Sequence, residues 1–276
     1  MLVRKSFAVL QRLLLVAFVA LIVVYLIKDL QPPLWIVFGP LIVSYAIGIT
    51  LGRMSSRYQK SVRHETVEVQ APVTGRWSAM NSPADRTPSH GVHHFGQTYA
   101  IDVVPEPEGT GRPRFAWLWP IARRPESFPG FGSPLYAVAD ATVVAMSDGR
   151  RDHLSRNSVI GFLYVLLAEG ELRGLLGPDR VLGNHVILDL GDGLYAAYAH
   201  VQRGSIPVRA GDRVAAGQLL GRCGNSGNTT EPHLHFQLMD GPDLDTARGR
   251  PFRWRNVGVP RNGERFTVDS APSAQE

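Results

Sequence analysis

Two long apolar runs open this 276-residue chain and limit how it can fold. Residues 13–27 (LLLVAFVALIVVYLI) carry no charge, and residues 7–10 lengthen the run across Gln11 and Arg12. After Pro32 and Pro33, residues 34–51 (LWIVFGPLIVSYAIGITL) are again uncharged. A helix rises about 1.5 Å per residue, so about 20 apolar residues cross a bilayer. The second run fits at the short end, and the first fits once Arg12 snorkels to the interface. The pattern predicts a multi-pass membrane segment over residues 1–52, with helices at about 7–27 and 34–51 joined by a tight turn. A cleavable signal peptide is the rival reading of the first run. No small-x-small site stands at Ile27-Lys28-Asp29, and a second run follows.

Charge divides the chain at the same place. The first 65 residues hold eight basic groups against Asp29 and Glu65, whereas the remainder holds 21 Arg, no Lys and 22 Asp plus Glu. The net charge of +5 therefore belongs to the N-terminal segment. A nucleic-acid partner would need a basic patch on the folded domain itself, so none is expected. Positive charge before the first helix and after the second predicts that both ends face the cytoplasm. The lone Cys223 excludes an internal disulfide and reads as a small packed side chain.

Residues 53–65 read as a juxtamembrane linker, residues 66–260 as one domain and residues 261–276 as a polar tail, disordered at its end. Within 66–260, short β-type runs alternate with Gly, Pro, Asn and Asp clusters, which predicts an all-β domain. Residues 157–176 (NSVIGFLYVLLAEGELRGLL) are the exception, a possible helix or insertion. Residues 132–144 (GSPLYAVADATVV) and 211–221 (GDRVAAGQLLG) each place a turn before a strand, in the style of barrel-sandwich proteins. A biotinyl or lipoyl carrier needs a modifiable lysine at a hairpin tip, and this domain has no lysine.

The histidines carry the chemistry. If residues 233–239 (HLHFQLM) form a strand, Leu234, Phe236 and Leu238 face a core while His233, His235, Gln237 and Met239 face the other way. Alternation along residues 194–200 puts Leu194, Ala196, Tyr198 and His200 on one face, with His200 at the strand end. A third cluster, residues 89–102 (SHGVHHFGQTYAID), sets His90, His93 and His94 before Asp102. Two His and one Asp with water in the fourth position suit catalytic zinc, which makes water a nucleophile at neutral pH. His185 reads as packing, and His64 and His153 as solvated.

Taken in order, these stretches resemble the lysostaphin-type (LytM-like) zinc metalloendopeptidases, which hydrolyse peptidoglycan cross-links. The resemblance covers about residues 71–240 and rests on TYAID (98–102), GNHVI (183–187), YAH (198–200), GDRV (211–214), GNSG (224–227) and HLHF (233–236). It implies an antiparallel, barrel-sandwich-like catalytic domain behind the two transmembrane helices, one Zn²⁺ per chain, and a peptidoglycan or other peptide substrate. It implies that Asp102 and His235 bind the metal, and that His233 and His200 act on the attacking water and the transition state, His233 as general base and His200 at the oxyanion. The family's remaining ligand histidine usually stands four residues before the aspartate, where this chain has Thr98. Relatives with a Ser-His-Gly ahead of this strand favour His90, with His93 and His94 as alternatives. A wall substrate places the domain on the cell-wall side, against the charge pattern. The alternative from another class is an inactive module on the same fold that binds wall or regulates other hydrolases.

Overall fold

The computed structural model describes residues 2–27, 32–62, 64–109 and 111–269. It divides into two compact units, Met1–Val62 and Arg63–Glu276.

The first unit is a pair of helices, α1 (Leu2–Ile27) and α2 (Leu34–Lys60). Both are long and apolar enough to cross a membrane. The Phe18 and Phe38 rings lie 5.7 Å apart, and the Ser44 hydroxyl donates to Gln11 O at 3.1 Å. Small and hydroxylated side chains of this kind let apolar helices approach. α2 runs on through Lys60, into residues 53–65 expected as a juxtamembrane linker. Arg53, Met54, Arg57, Gln59 and Lys60 are good helix formers, and extending a helix is cheap once it is nucleated. The turn expected between the helices lies at residues 28–31, outside the described residues.

The second unit is built on antiparallel strands. In chain order they are β1 (Val67–Val69), β2 (Gly75–Met80), β3 (Ile101–Pro105), β4 (Pro134–Tyr136), β5 (Ala141–Ser147), β6 (His185–Asp189) and β7 (Tyr195–Ala199). They continue with β8 (Arg213–Val214), β9 (Leu219–Arg222), β10 (Leu234–Met239), β11 (Gly249–Arg250), β12 (Phe252–Trp254) and β13 (Arg265–Val268). The main sheet runs β13-β2-β3-β10-β7-β6-β5-β8, with β11 also paired to β10. Two small sheets, β1-β12 (parallel) and β4-β9, complete the all-β domain. Within 157–176, residues 159–176 are helical: α3 (Val159–Tyr164), a π-turn (Val165–Glu169) and α4 (Gly170–Leu176). The Ser158 side chain caps α3 by accepting from Gly161 N–H.

The tail boundary also shifts. Residues 265–268 alternate polar and apolar, and β13 pairs with β2, with Phe266 and Val268 packed against the core. The end expected to be disordered lies at 270–276, outside the described residues.

β10 positions the site. It is paired on both edges, with β3 and β7, and every residue in it is buried. Leu234, Phe236 and Leu238 enter the main core, where Phe236 meets Tyr198, Phe252 and Trp254 edge-on or tilted. Met239 packs on the opposite face, with Ile187, Ala197 and Ala199. The period-two pattern thus commits one face of β10 to packing and leaves the other to His235 and Gln237.

Candidate active site

Register alone brings two candidates together. His235 on β10 pairs directly with Asp102 on β3, so the two side chains share a face. His235 Nδ1 lies 2.9 Å from Asp102 Oδ1, and His90 Nε2 lies 3.0 Å from Asp102 Oδ2. The three offer ligand atoms that all lie within 4.8 Å of one another. Tetrahedral zinc with N and O ligands at about 2.0–2.2 Å spaces them by roughly 3.3 Å, so small side-chain movements close this set on an ion.

The donor chemistry fits a cation. Gln237 Nε2 donates to Phe95 O at 2.7 Å, which turns Gln237 Oε1 toward His235 Nε2 at 2.9 Å. That oxygen only accepts, so the His235 proton sits on Nε2 and the Nδ1 lone pair faces the centre. Burial lowers the His235 pKa, which keeps the ring neutral. A lone pair and a carboxylate oxygen 2.9 Å apart repel each other unless they share a proton or a metal cation. Burial by itself would raise the Asp102 carboxyl, but His90 and His233 outweigh it and hold the group well below the usual carboxylate range. Asn81 Nδ2 also donates to Asp102 Oδ2 at 2.8 Å.

His90 arrives from a loop. Its Nδ1 lies 3.0 Å from Ser89 Oγ, and the loop turns back through left-handed Gly91, Phe95 and Gly96. His93 and His94 do not join the cluster. His93 Nδ1 sits 3.1 Å from Thr98 Oγ1, and the His94 ring lies against Phe95. Thr98, at the position where the family usually has its ligand, thus holds a neighbouring histidine instead.

His200 departs from its expected face. Strand alternation would send it into the main core with Tyr198, but its backbone is left-handed, with φ at 62°. This conformation ends β7 and turns the ring to the histidine side, 4.7 Å from His233 and 5.7 Å from His235 between ring centroids. A non-glycine residue pays strain there, a feature that collects at working sites. His200 Nδ1 donates to Ser226 O at 2.8 Å, and His233 Nδ1 donates to Glu231 O at 2.8 Å. Both rings therefore turn Nε2 inward, His233 Nε2 lying 3.5 Å from Asp102 Oδ1. Burial, with His233 and His235 nearby, pushes the His200 pKa well down. Burial would lower His233 too, but the Asp102 charge outweighs it and raises that pKa. A neutral His200 is thus an acceptor, and it can donate to an oxyanion only after taking a proton.

Several supporting residues escaped the sequence reading. Asn81 and Thr229 carry no positional signal, since each acts through a turn. Gln237 was legible only as a residue two positions from His235 on the same face. His153, expected in solvent, is buried and bonds Gly227 O at 2.8 Å, because loop 224–230 folds over it. His64 lies 3.5 Å from Asp240 with a side chain 11% exposed, so it too is mostly withdrawn from solvent. His185 is buried against Gly183 O, and Cys223 is buried with its pKa pushed up by burial.

Parts of this chain are similar to known proteins. Residues 167–247 match the model for Peptidase family M23. The chain carries a segment of the LytM-like, lysostaphin-type family. That segment includes His200, His233 and His235, while His90 and Asp102 precede it. Peptidoglycan DD-endopeptidase ShyA of Vibrio cholerae serotype O1 is 35% identical over 78 residues, 28% of this chain and 16% of that protein. Cell division protein DipM of Caulobacter vibrioides is 28% identical over 148 residues, 54% of this chain and 22% of that protein. The chain thus spans less than a quarter of the length of these curated relatives. The catalytic domain of lysostaphin from Staphylococcus simulans aligns over 72% of this chain and 92% of its own, at 18% identity and a TM-score of 0.32.

Proposed function

We propose that this chain is a membrane-anchored zinc metalloendopeptidase that hydrolyses peptide cross-links of peptidoglycan. The observation that carries the proposal is the convergence of His90, Asp102 and His235 beside two further histidines whose Nε2 atoms face the same centre. The peptidase family of residues 167–247 and the peptidoglycan endopeptidase among the relatives support the substrate class. The two apolar helices support the anchor, and a wall substrate requires the domain on the outer side.

His90 Nε2, His235 Nδ1 and an Asp102 oxygen would hold one Zn²⁺. Bound zinc supplies a Lewis acid for the scissile carbonyl and lowers the pKa of water. The protein's part is proton traffic. His233, in its neutral form, accepts the proton of the attacking water through Nε2. It then returns that proton to the leaving amine. His200, after taking a proton from solvent, would donate from Nε2 to the carbonyl oxygen as charge develops there, and would return that proton to solvent once the C–N bond has broken. The bonds to Ser226 O and Glu231 O keep both rings aimed throughout.

The test uses the full chain on purified peptidoglycan, with product amines counted. Hydrolysis is expected from the parent, abolished by a zinc chelator and restored by zinc. His233→Ala is expected to lose about 10²–10⁴ in rate while keeping its zinc. A parent that binds wall without releasing amines would instead support the inactive binding module.

A further inference from the structure

The domain carries a second apolar surface, separate in sequence from the N-terminal helices. Residues 115–121 (FAWLWPI) form a loop in which Trp117 and Trp119 are each 81% exposed. Residues 157–168 (NSVIGFLYVLLA) contain no charge, and Phe162, Leu163, Leu166 and Leu167 in their helical part are exposed. Backbone bonds join the two stretches: Ala116 N–H donates to Asn157 O at 3.1 Å and Val159 N–H to Ala116 O at 3.0 Å. The Ser158 hydroxyl adds a bond to Ile121 O at 2.8 Å. The two exposed apolar stretches are thus neighbours in the fold, and soluble domains rarely leave large contiguous apolar patches in water.

The chemistry around the face selects its occupant. Arg112 and Arg114 precede the tryptophan loop, Arg123 and Arg124 follow it, and residues 109–125 contain no acid. Exposed indoles bracketed by guanidinium groups match the boundary between acyl chains and phosphate headgroups. Guanidinium also pairs with phosphate in a two-pronged geometry. We propose that this face docks on the surface of a lipid bilayer with anionic headgroups. The proposal rests on the membrane-anchored reading, since the anchor would keep the domain beside such a surface.

Docking would bear on the candidate site. Arg112 Nε donates to Glu231 Oε2 at 2.8 Å, two residues before His233. Arg173, on α4, donates to Gly227 O next to the carbonyl that holds His200. Residues flanking both stretches are thus tied to the 224–231 loop, so a docked domain would hold that loop near the headgroup layer.

The test is spin-label accessibility on the full chain in nanodiscs of phosphatidylcholine and phosphatidylglycerol. Labels are attached to Trp117→Cys, Leu167→Cys, Val16→Cys on α1 and Arg213→Cys on β8; the native Cys223 is buried. Labels at 117, 167 and 16 are expected to collide several-fold more with oxygen, relative to a water-soluble nickel chelate, than the label at 213. If 16 lies in lipid while 117 and 167 behave like 213, the anchor stands and docking is wrong. Shielding of 117 and 167 from both reagents means that protein covers the face, and also overturns the proposal. A label at 16 that stays in water defeats the anchor, and docking then stands or falls on 117 and 167.

Discussion

Asp102 and His235 reach the centre from paired strands, whereas His90 reaches it from a loop. On the strand side, two ladders fix the backbone of β10, and Leu234, Phe236 and Leu238 lock it from the opposite face. On the loop side, three residues with positive φ and a Ser89 hydrogen bond do the same work. A ligand on a strand is aimed by the pleat; a ligand on a loop is aimed by turns that nothing periodic encodes. Gln237 joins the halves, since its amide touches both His235 and the loop carbonyl of Phe95.

Breaking the strand side is expected to have the largest effect. His235→Ala removes a proposed ligand from the rigid half, so zinc and hydrolysis are both expected to be lost, read by metal content and by amine release. Retained hydrolysis in that variant would sink the assignment. The bridge between the halves comes next. Gln237→Ala frees His235 Nε2 and the Phe95 carbonyl, and is expected to weaken zinc by about 10–100-fold in a chelator competition. Gln237→Glu, which keeps an acceptor on His235, is expected to recover most of that loss. On the loop side, His93→Ala is expected to leave zinc affinity within about twofold, because surface-loop changes away from a site are usually small. A loss as large as that of Gln237→Ala would make His93 part of the site.

The same contrast explains what the sequence disclosed. The faces of β10 followed from strict alternation, and so did the pairing of an apolar side with a histidine side. His200 broke that rule, because a single left-handed residue at the end of β7 moved its ring across the sheet. His90, His93 and His94 could not be separated by pattern, since their directions depend on the turns at Gly91, Phe95 and Gly96. Strand β13 was missed because its four residues follow a polar turn and are exposed or only partly buried. The helix continues through Lys60 because its polar residues are good helix formers, a property that polarity alone does not disclose.

The central claim is that His90, Asp102 and His235 form one metal centre. The most direct measurement is zinc per full chain in the parent beside His90→Ala, after both are loaded and desalted. About one zinc in the parent and little in the variant is the predicted result. Equal zinc in both would take His90 out of the centre, and no zinc in a folded parent would contradict the account.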